Sequence, residues 1–221
     1  MNRKLKLMGF GLIILVTVAS AASAQAGNFS IGGFGGWAGS MADEAVSGFS
    51  QTKLESSAVY GGSILYRFSN GFALELCAEH LEMELTELGS NFGKLKMTPL
   101  MLLFKFQGMP QTGRGITGHF DIGGGINFTS FDKGKFVTDL EKSSGAKFTI
   151  STDNSFIFEM GGGIDYFFTK NISINLDARL LAGNVGTSWK ASGRTGSVTI
   201  TDIDTFHVSN FQGLVGLRFW F

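Results

Sequence analysis

Ten charged residues lie in segments that alternate apolar and polar side chains: Arg67, Glu75, Glu79, Lys105, Asp121, Glu159, Asp165, Asp177, Arg179 and Arg218. Side chains on a strand alternate between its two faces. All ten therefore fall opposite the aromatic face of their segments. Buried charges need partners, and six carboxylates among four cations could form one neutralising network. A second set suits an apolar molecule. Leu81, Met83, Leu85, Leu95 and Met97 have the same inward parity, and Phe131 and Trp189 share it near the same rim. Nucleophilic chemistry needs a hydroxyl beside an oriented base. His207 and Ser209 share a face within His207-Val208-Ser209-Asn210, with Asp202 or Asp204 as the third group. His80 and His119 read as structural. Cys77 is the single cysteine, which excludes an intramolecular disulfide and a cysteine-based metal site. No metal and no cofactor is expected. The glycine clusters at 123–125 and 161–163 lie mid-strand, so they read as relief of crowding and not as phosphate loops.

The elements that must position these groups follow from one pattern, seen best in the last eleven residues. Phe211, Gly213, Val215, Leu217, Phe219 and Phe221 form an apolar face, and Gln212, Leu214, Gly216, Arg218 and Trp220 the other. Seven earlier segments repeat it, around 29–37, 60–68, 72–79, 100–106, 120–128, 156–166 and 172–180. Their connections alternate long and short. Polar loops span about Ser40 to Glu55, Asp132 to Asn154 and Ser192 to Asp204, and short turns fall at Ser69-Asn70-Gly71, Gly108 to Gly115 and Thr169-Lys170-Asn171. Between strands three and four, a hairpin closing around 88–90 places Glu84 opposite Lys94 and Glu82 opposite Lys96. Trp37, Tyr66, Phe68, Phe72, Phe106, Tyr166 and Phe219 sit near strand ends, as in an aromatic girdle.

Composition narrows the class. The chain has 221 residues, 32 of them glycine, 22 phenylalanine and 2 proline, which suits one domain. Arg3, Lys4 and Lys6 precede an apolar run, Met8 to Val18, and then Ala22-Ser23-Ala24-Gln25-Ala26. This is the form of a secretory signal peptide, assigned to 1–26, with the barrel at 27–221. Without it the chain holds 15 basic and 18 acidic residues, so no nucleic-acid partner is expected. The pattern predicts an all-β fold: an eight-stranded antiparallel up-and-down transmembrane β-barrel in the outer membrane, among phospholipid and lipopolysaccharide. Its terminal strand is expected to be handled by the barrel-assembly machinery.

Several stretches resemble the OmpW family of eight-stranded outer-membrane proteins. They are Tyr66-Arg67-Phe68, Pro99 to Phe106, Gly123 to Phe128, Gly161 to Tyr166, Asn175 to Arg179 and Gly213 to Phe219. The resemblance covers most of the chain after residue 56 and rests on order and spacing. It implies a narrow channel for small hydrophobic compounds, with an apolar extracellular vestibule above the charged set. The residues themselves leave a second reading open, in which side chains plug the barrel and its loops do the work. His207-Val208-Ser209-Asn210 also resembles the His-x-Ser-Asn of lipid A deacylases, but the rest of the chain does not follow that family, and no enzyme is expected.

Overall fold

The computed structural model describes residues 28–41, 52–69, 71–87, 90–108, 110, 113–193 and 196–221. The signal peptide assigned to 1–26 lies outside these residues, as does most of the first long connection. The strands are β1 (Phe29–Ser40), β2 (Thr52–Leu54), β3 (Ser57–Ser69), β4 (Phe72–Glu87), β5 (Ser90–Gln107), β6 (Gly115–Lys133), β7 (Lys147–Thr152), β8 (Ser155–Thr169), β9 (Ile172–Gly193), β10 (Gly196–His207) and β11 (Asn210–Trp220). One helix, α1 (Lys135–Ser144), lies between β6 and β7.

Eight of the strands make the barrel. β1, β3, β4, β5, β6, β8, β9 and β11 pair in that order, all antiparallel. β11 returns to β1 with Ile31 opposite Phe219 and Trp37 opposite Gly213. This is the expected closed up-and-down barrel. No described helix is long and apolar enough to cross a membrane, so any crossing falls to strands. A tilted strand needs about 9–11 residues to span. β5, β6 and β9 are far longer, and their surplus projects beyond the long-loop end.

The alternation sorts side chains as expected. Leu102, Phe104, Leu176 and Leu217 point outward and are 44–50 % exposed. An apolar surface of this extent is incompatible with water and is what a bilayer requires of a barrel. At the short-turn end, Tyr66, Phe68, Phe72, Phe104 and Phe106 form a chain of rings with centroids 4.9–6.1 Å apart. Gly71 holds the β3–β4 turn at φ 106°, a conformation that costs glycine little.

Two expected loops are structured instead. The stretch 132–154 contains the end of β6, then α1 and β7, and 192–204 belongs largely to a β9–β10 hairpin. β7 and β10 flank the projecting part of β9. Both corrections have one cause. Val137 and Ile150 of the first stretch, and Phe206 of β10 just beyond the second, are buried in the apolar cluster that covers the open end of the barrel.

Replacing Leu176 by Arg should destabilise the barrel in lipid by roughly 2–4 kcal/mol, as a mid-bilayer cation on the lipid face does. Replacing exposed Lys190 by Arg should change little. Guanidinium unfolding in vesicles, followed by tryptophan fluorescence, checks both.

Candidate functional site

The inward face of the strands builds three layers. At the short-turn end, Leu65, Ala73, Phe167 and Trp220 pack together. Trp220 Nε1 donates to Ser173 Oγ at 2.9 Å, and the Arg67 guanidinium lies 4.3 Å from the Trp220 ring centre. Arg67 also donates to Gln107 Oε1 at 3.0 Å.

The middle layer holds the charges. Glu75 is shared by two cations, with Arg218 Nη2 2.7 Å from Oε1 and Lys105 Nζ 3.1 Å from Oε2. Lys105 Nζ also lies 3.4 Å from Asp121 Oδ2. Arg179 contacts Glu159 at 3.3 Å and Asp177 at 3.6 Å, and Gln212 donates to Glu79 Oε1 at 2.9 Å. Asn175 donates to Asp177. Glu75, Lys105, Asp121, Glu159 and Asp165 are fully buried. All ten charged residues picked from parity thus line one interior.

His119 joins them and was not placed in the network from sequence. Its Nδ1 lies 2.6 Å from Asp165 Oδ2 and its Nε2 2.5 Å from Asp177 Oδ1. The ring thus bridges two carboxyl groups, one at each nitrogen. The signal was its shared parity with Asp121. His119, Asp121 and Asp177 bring possible ligand atoms within 4.8 Å of one another, the one such group among the described residues. Lys105 already supplies a cation beside Asp121.

Room for these side chains comes from glycine. A Cβ on Gly161 would lie 2.8 Å from Arg179 Cγ and 2.8 Å from Asp121 Oδ1. One on Gly61 would lie 2.6 Å from the Phe34 ring. Phe34 in turn lies under the Arg179 guanidinium at 5.3 Å.

The upper layer is apolar. Leu81, Met83, Leu85, Leu95 and Met97 form one buried cluster, against which Phe131 and Trp189 pack. Phe92 meets Trp189 at a tilt with ring centres 5.3 Å apart, and Phe131 stacks on Phe206 at 5.9 Å. The structure brings all seven expected path residues together, but as a filled interior. Leu81, Met83, Leu95 and Met97 have no exposed surface, so the apolar region that sequence reads either as a vestibule or as packing is filled here. Val137 of α1 and Ile150 of β7 complete the seal.

The wall beside this layer is interrupted. The β6–β8 ladder ends at Asn127 opposite Ser155, and above it β6 pairs with β5 while β7 pairs with β9. Side chains bridge the seam. Thr129 Oγ1 donates to the Asp153 carbonyl at 2.9 Å, and Lys133 Nζ to the Phe148 carbonyl at 2.9 Å. Lys133 also pairs with Glu141 of α1 at 2.8 Å, and the Phe148 amide donates to the same Glu141 oxygen at 2.7 Å. The Lys133 hydrogen bond holds the Glu141 carboxyl below its ordinary pKa.

Outside, Glu82 and Glu84 face Lys96 and Lys94 as expected. The closest contacts are Lys94 with Glu82 at 3.2 Å and Lys96 with Asp132 at 2.6 Å. The hydrogen bond from Lys94 lowers the Glu82 pKa, and that to Asp132 raises the Lys96 pKa. His80 bonds Thr98 at 3.0 Å. His207 Nδ1 lies 2.9 Å from Asn184 Oδ1.

No protein-family model and no curated protein matches the chain. Solved structures do. The outer membrane protein OprG from Pseudomonas aeruginosa aligns with a TM-score of 0.65 at 17% identity, over 89% of this chain and 96% of its own. Neisserial surface protein A aligns at 0.50 and 11% identity, over 90% and 100%. Outer membrane protein W of E. coli aligns at 0.42 and 19% identity, over 88% and 98%. The fold is that of an eight-stranded outer-membrane β-barrel. Among barrels of this class, short turns face the periplasm and long connections the exterior, which sets the apolar layer outermost.

Changing Glu75 to Gln removes the carboxylate shared by Lys105 and Arg218. It should cost about 3–5 kcal/mol, as breaking a buried ion pair does, read from the guanidinium midpoint in detergent. The Glu141 clasp has a definite pH sign. Because its folded pKa is depressed, its contribution is present above the ordinary carboxylate value of 4.5 and is lost as pH falls through the lower, folded value. The protection of the Phe148 amide against hydrogen exchange, relative to its intrinsic rate at each pH, should fall in that acid range in the native barrel. In Glu141→Gln the acid-linked change should be absent.

Proposed function

We propose that this barrel is OmpW-like, admits small hydrophobic molecules from the cell exterior and releases them sideways into the outer membrane. One observation carries the reading: a continuous apolar interior sits on a sealed ionic layer, beside a stretch of wall where strand pairing is broken. The ionic layer blocks passage straight down, because an apolar solute there would have to part charges that stabilise one another. The seam offers another way out. It is held by a few side-chain bonds and lies just above Phe128 and Phe156, where the outward face turns apolar. The structure is a closed state, and entry requires the apolar side chains to move. Met83 and Met97 are unbranched and adaptable, and α1 is fastened mainly by the Lys133–Glu141 clasp and Val137. Outer-membrane lipid surrounds the barrel, and β11 is the strand presented to the assembly machinery.

A second reading has its own observation. The interior is filled along its whole length, as in a sealed barrel that acts through its extracellular surface.

The test is entry of an apolar fluorescent dye into intact cells with and without the gene, beside a small hydrophilic solute. The dye alone should enter faster when the gene is present. Joining Thr129→Cys to Asp153→Cys with a short bifunctional thiol-reactive reagent such as a bismaleimide should return dye entry to the level of cells lacking the gene, since native Cys77 is buried. Faster entry of the hydrophilic solute would mean an aqueous pore. No change in either would establish the sealed barrel.

A further inference from the structure

The outer wall of the projecting β5–β6 hairpin carries a groove of about 510 Å³. Lys94, Lys96, Lys133 and Lys135 line it, against two carboxylates, Glu82 and Asp132. Lys135 forms no ion pair among the described residues. The start of α1 opens onto the same groove, with no acidic residue in its first turn and no side chain capping it. Lys94 pairs with Glu82 and Glu84, Lys96 with Asp132 and Lys133 with Glu141, so the positive charge left over in this exposed groove is that of Lys135 and the start of α1.

Its height is informative. On β5, outward positions run from Lys94 and Lys96 through Thr98 to Leu100 and Leu102; on β6 they run from Asp132 and Ser130 to Phe128 and Ile126. Leu100, Leu102, Ile126 and Phe128 are all exposed and apolar. Lys96 stands about 10 Å above Leu100, given roughly 3.3 Å per residue and a strand tilt near 40°. That is the depth of outer-leaflet head groups next to the hydrocarbon.

We propose that this groove binds the phosphorylated sugar head of a lipopolysaccharide-type lipid, whose acyl chains lie on the apolar face directly below. The inference rests on the outer-membrane placement of the barrel and is independent of transport. Two adjoining surfaces favour a lipid over free phosphate. Lysines supply point charges for phosphate, and the apolar strip beneath takes chains that a free anion lacks. Glu82 and Asp132 hold Lys94 and Lys96 in place, and Lys135 beside the start of α1 supplies the charge they do not balance.

The test uses the full barrel in detergent, with binding read by native mass spectrometry. The probes are bis-phosphorylated lipid A, the same lipid with its phosphates removed, and inorganic phosphate. Lipid A should bind, and K94Q/K96Q/K135Q should weaken it more than about tenfold, since each lysine near an anionic surface contributes on the order of 1 kcal/mol. K147Q/K190Q, which alters exposed lysines outside the groove, should leave it unchanged. The dephosphorylated lipid should bind no better to the native barrel than lipid A does to the triple variant. Heat-modifiable gel migration confirms that each variant is folded. Equal binding of the two lipids, equal binding to native and triple-variant barrels, or inorganic phosphate binding as tightly as lipid A would each overturn the proposal. Dye entry unaltered in the triple variant would separate this site from the transport reading.

Discussion

An eight-stranded barrel has an interior only as wide as the side chains that fill it, and most features of this molecule answer to that constraint. An interior this narrow cannot keep its charges hydrated, so they must satisfy one another. Glu75 does so by serving Arg218 and Lys105 together, and His119 by bridging Asp165 and Asp177. The same narrowness explains why the long cation Arg179 has glycine as its neighbour on the adjacent strand. Arg179 occupies space that a Cβ on Gly161 would take. Large and small residues are matched around the wall, as small barrels require.

The constraint also divides the molecule by height. Within the membrane the outer face must be apolar, so polarity has nowhere to go but inward. Above the membrane the outer face meets water, and the preference reverses. Glu82, Glu84, Lys94 and Lys96 turn outward while Leu81, Met83, Leu95 and Met97 fill the inside. One continuous pair of strands, β4 and β5, thus changes its chemistry halfway along without changing its pleat. The upper part resembles an ordinary soluble core, and the structure treats it as one by packing it shut.

Much of this was legible in the sequence, because a period of two is a local property. Parity alone assigned the ten charges and the seven apolar residues to the interior, and the hairpin closure gave the Glu–Lys cross-strand partners. What was missed depended on three dimensions. His119 had the right parity, but its place in the network depends on the two carboxyl groups brought to it from β8 and β9. Phe34, Gln107 and Gln212 are neutral and gave no sign that they would seat charged neighbours. Residues 132–154 read as a polar loop because α1 buries essentially one side chain, Val137, too weak a period to stand out. A structureless connection of that length is itself unusual. Whether the apolar region stands open or filled was not legible for the same reason: its filling comes partly from Val137, Ile150 and Phe206, which are remote in sequence from the residues they cover.

The pairing of β1 with β11 has a consequence for how the molecule is made. The Phe221 amide donates to the Phe29 carbonyl at 2.8 Å, joining segments from opposite ends of the described chain. Contacts so distant along the chain are slow to form. Until they do, two strand edges stay open to any other strand nearby. A partly inserted chain cannot seal itself, and its ionic layer has only part of its wall. Assembly is therefore most vulnerable at its final step, when the interior is composed but the seam between first and last strands is still unstitched.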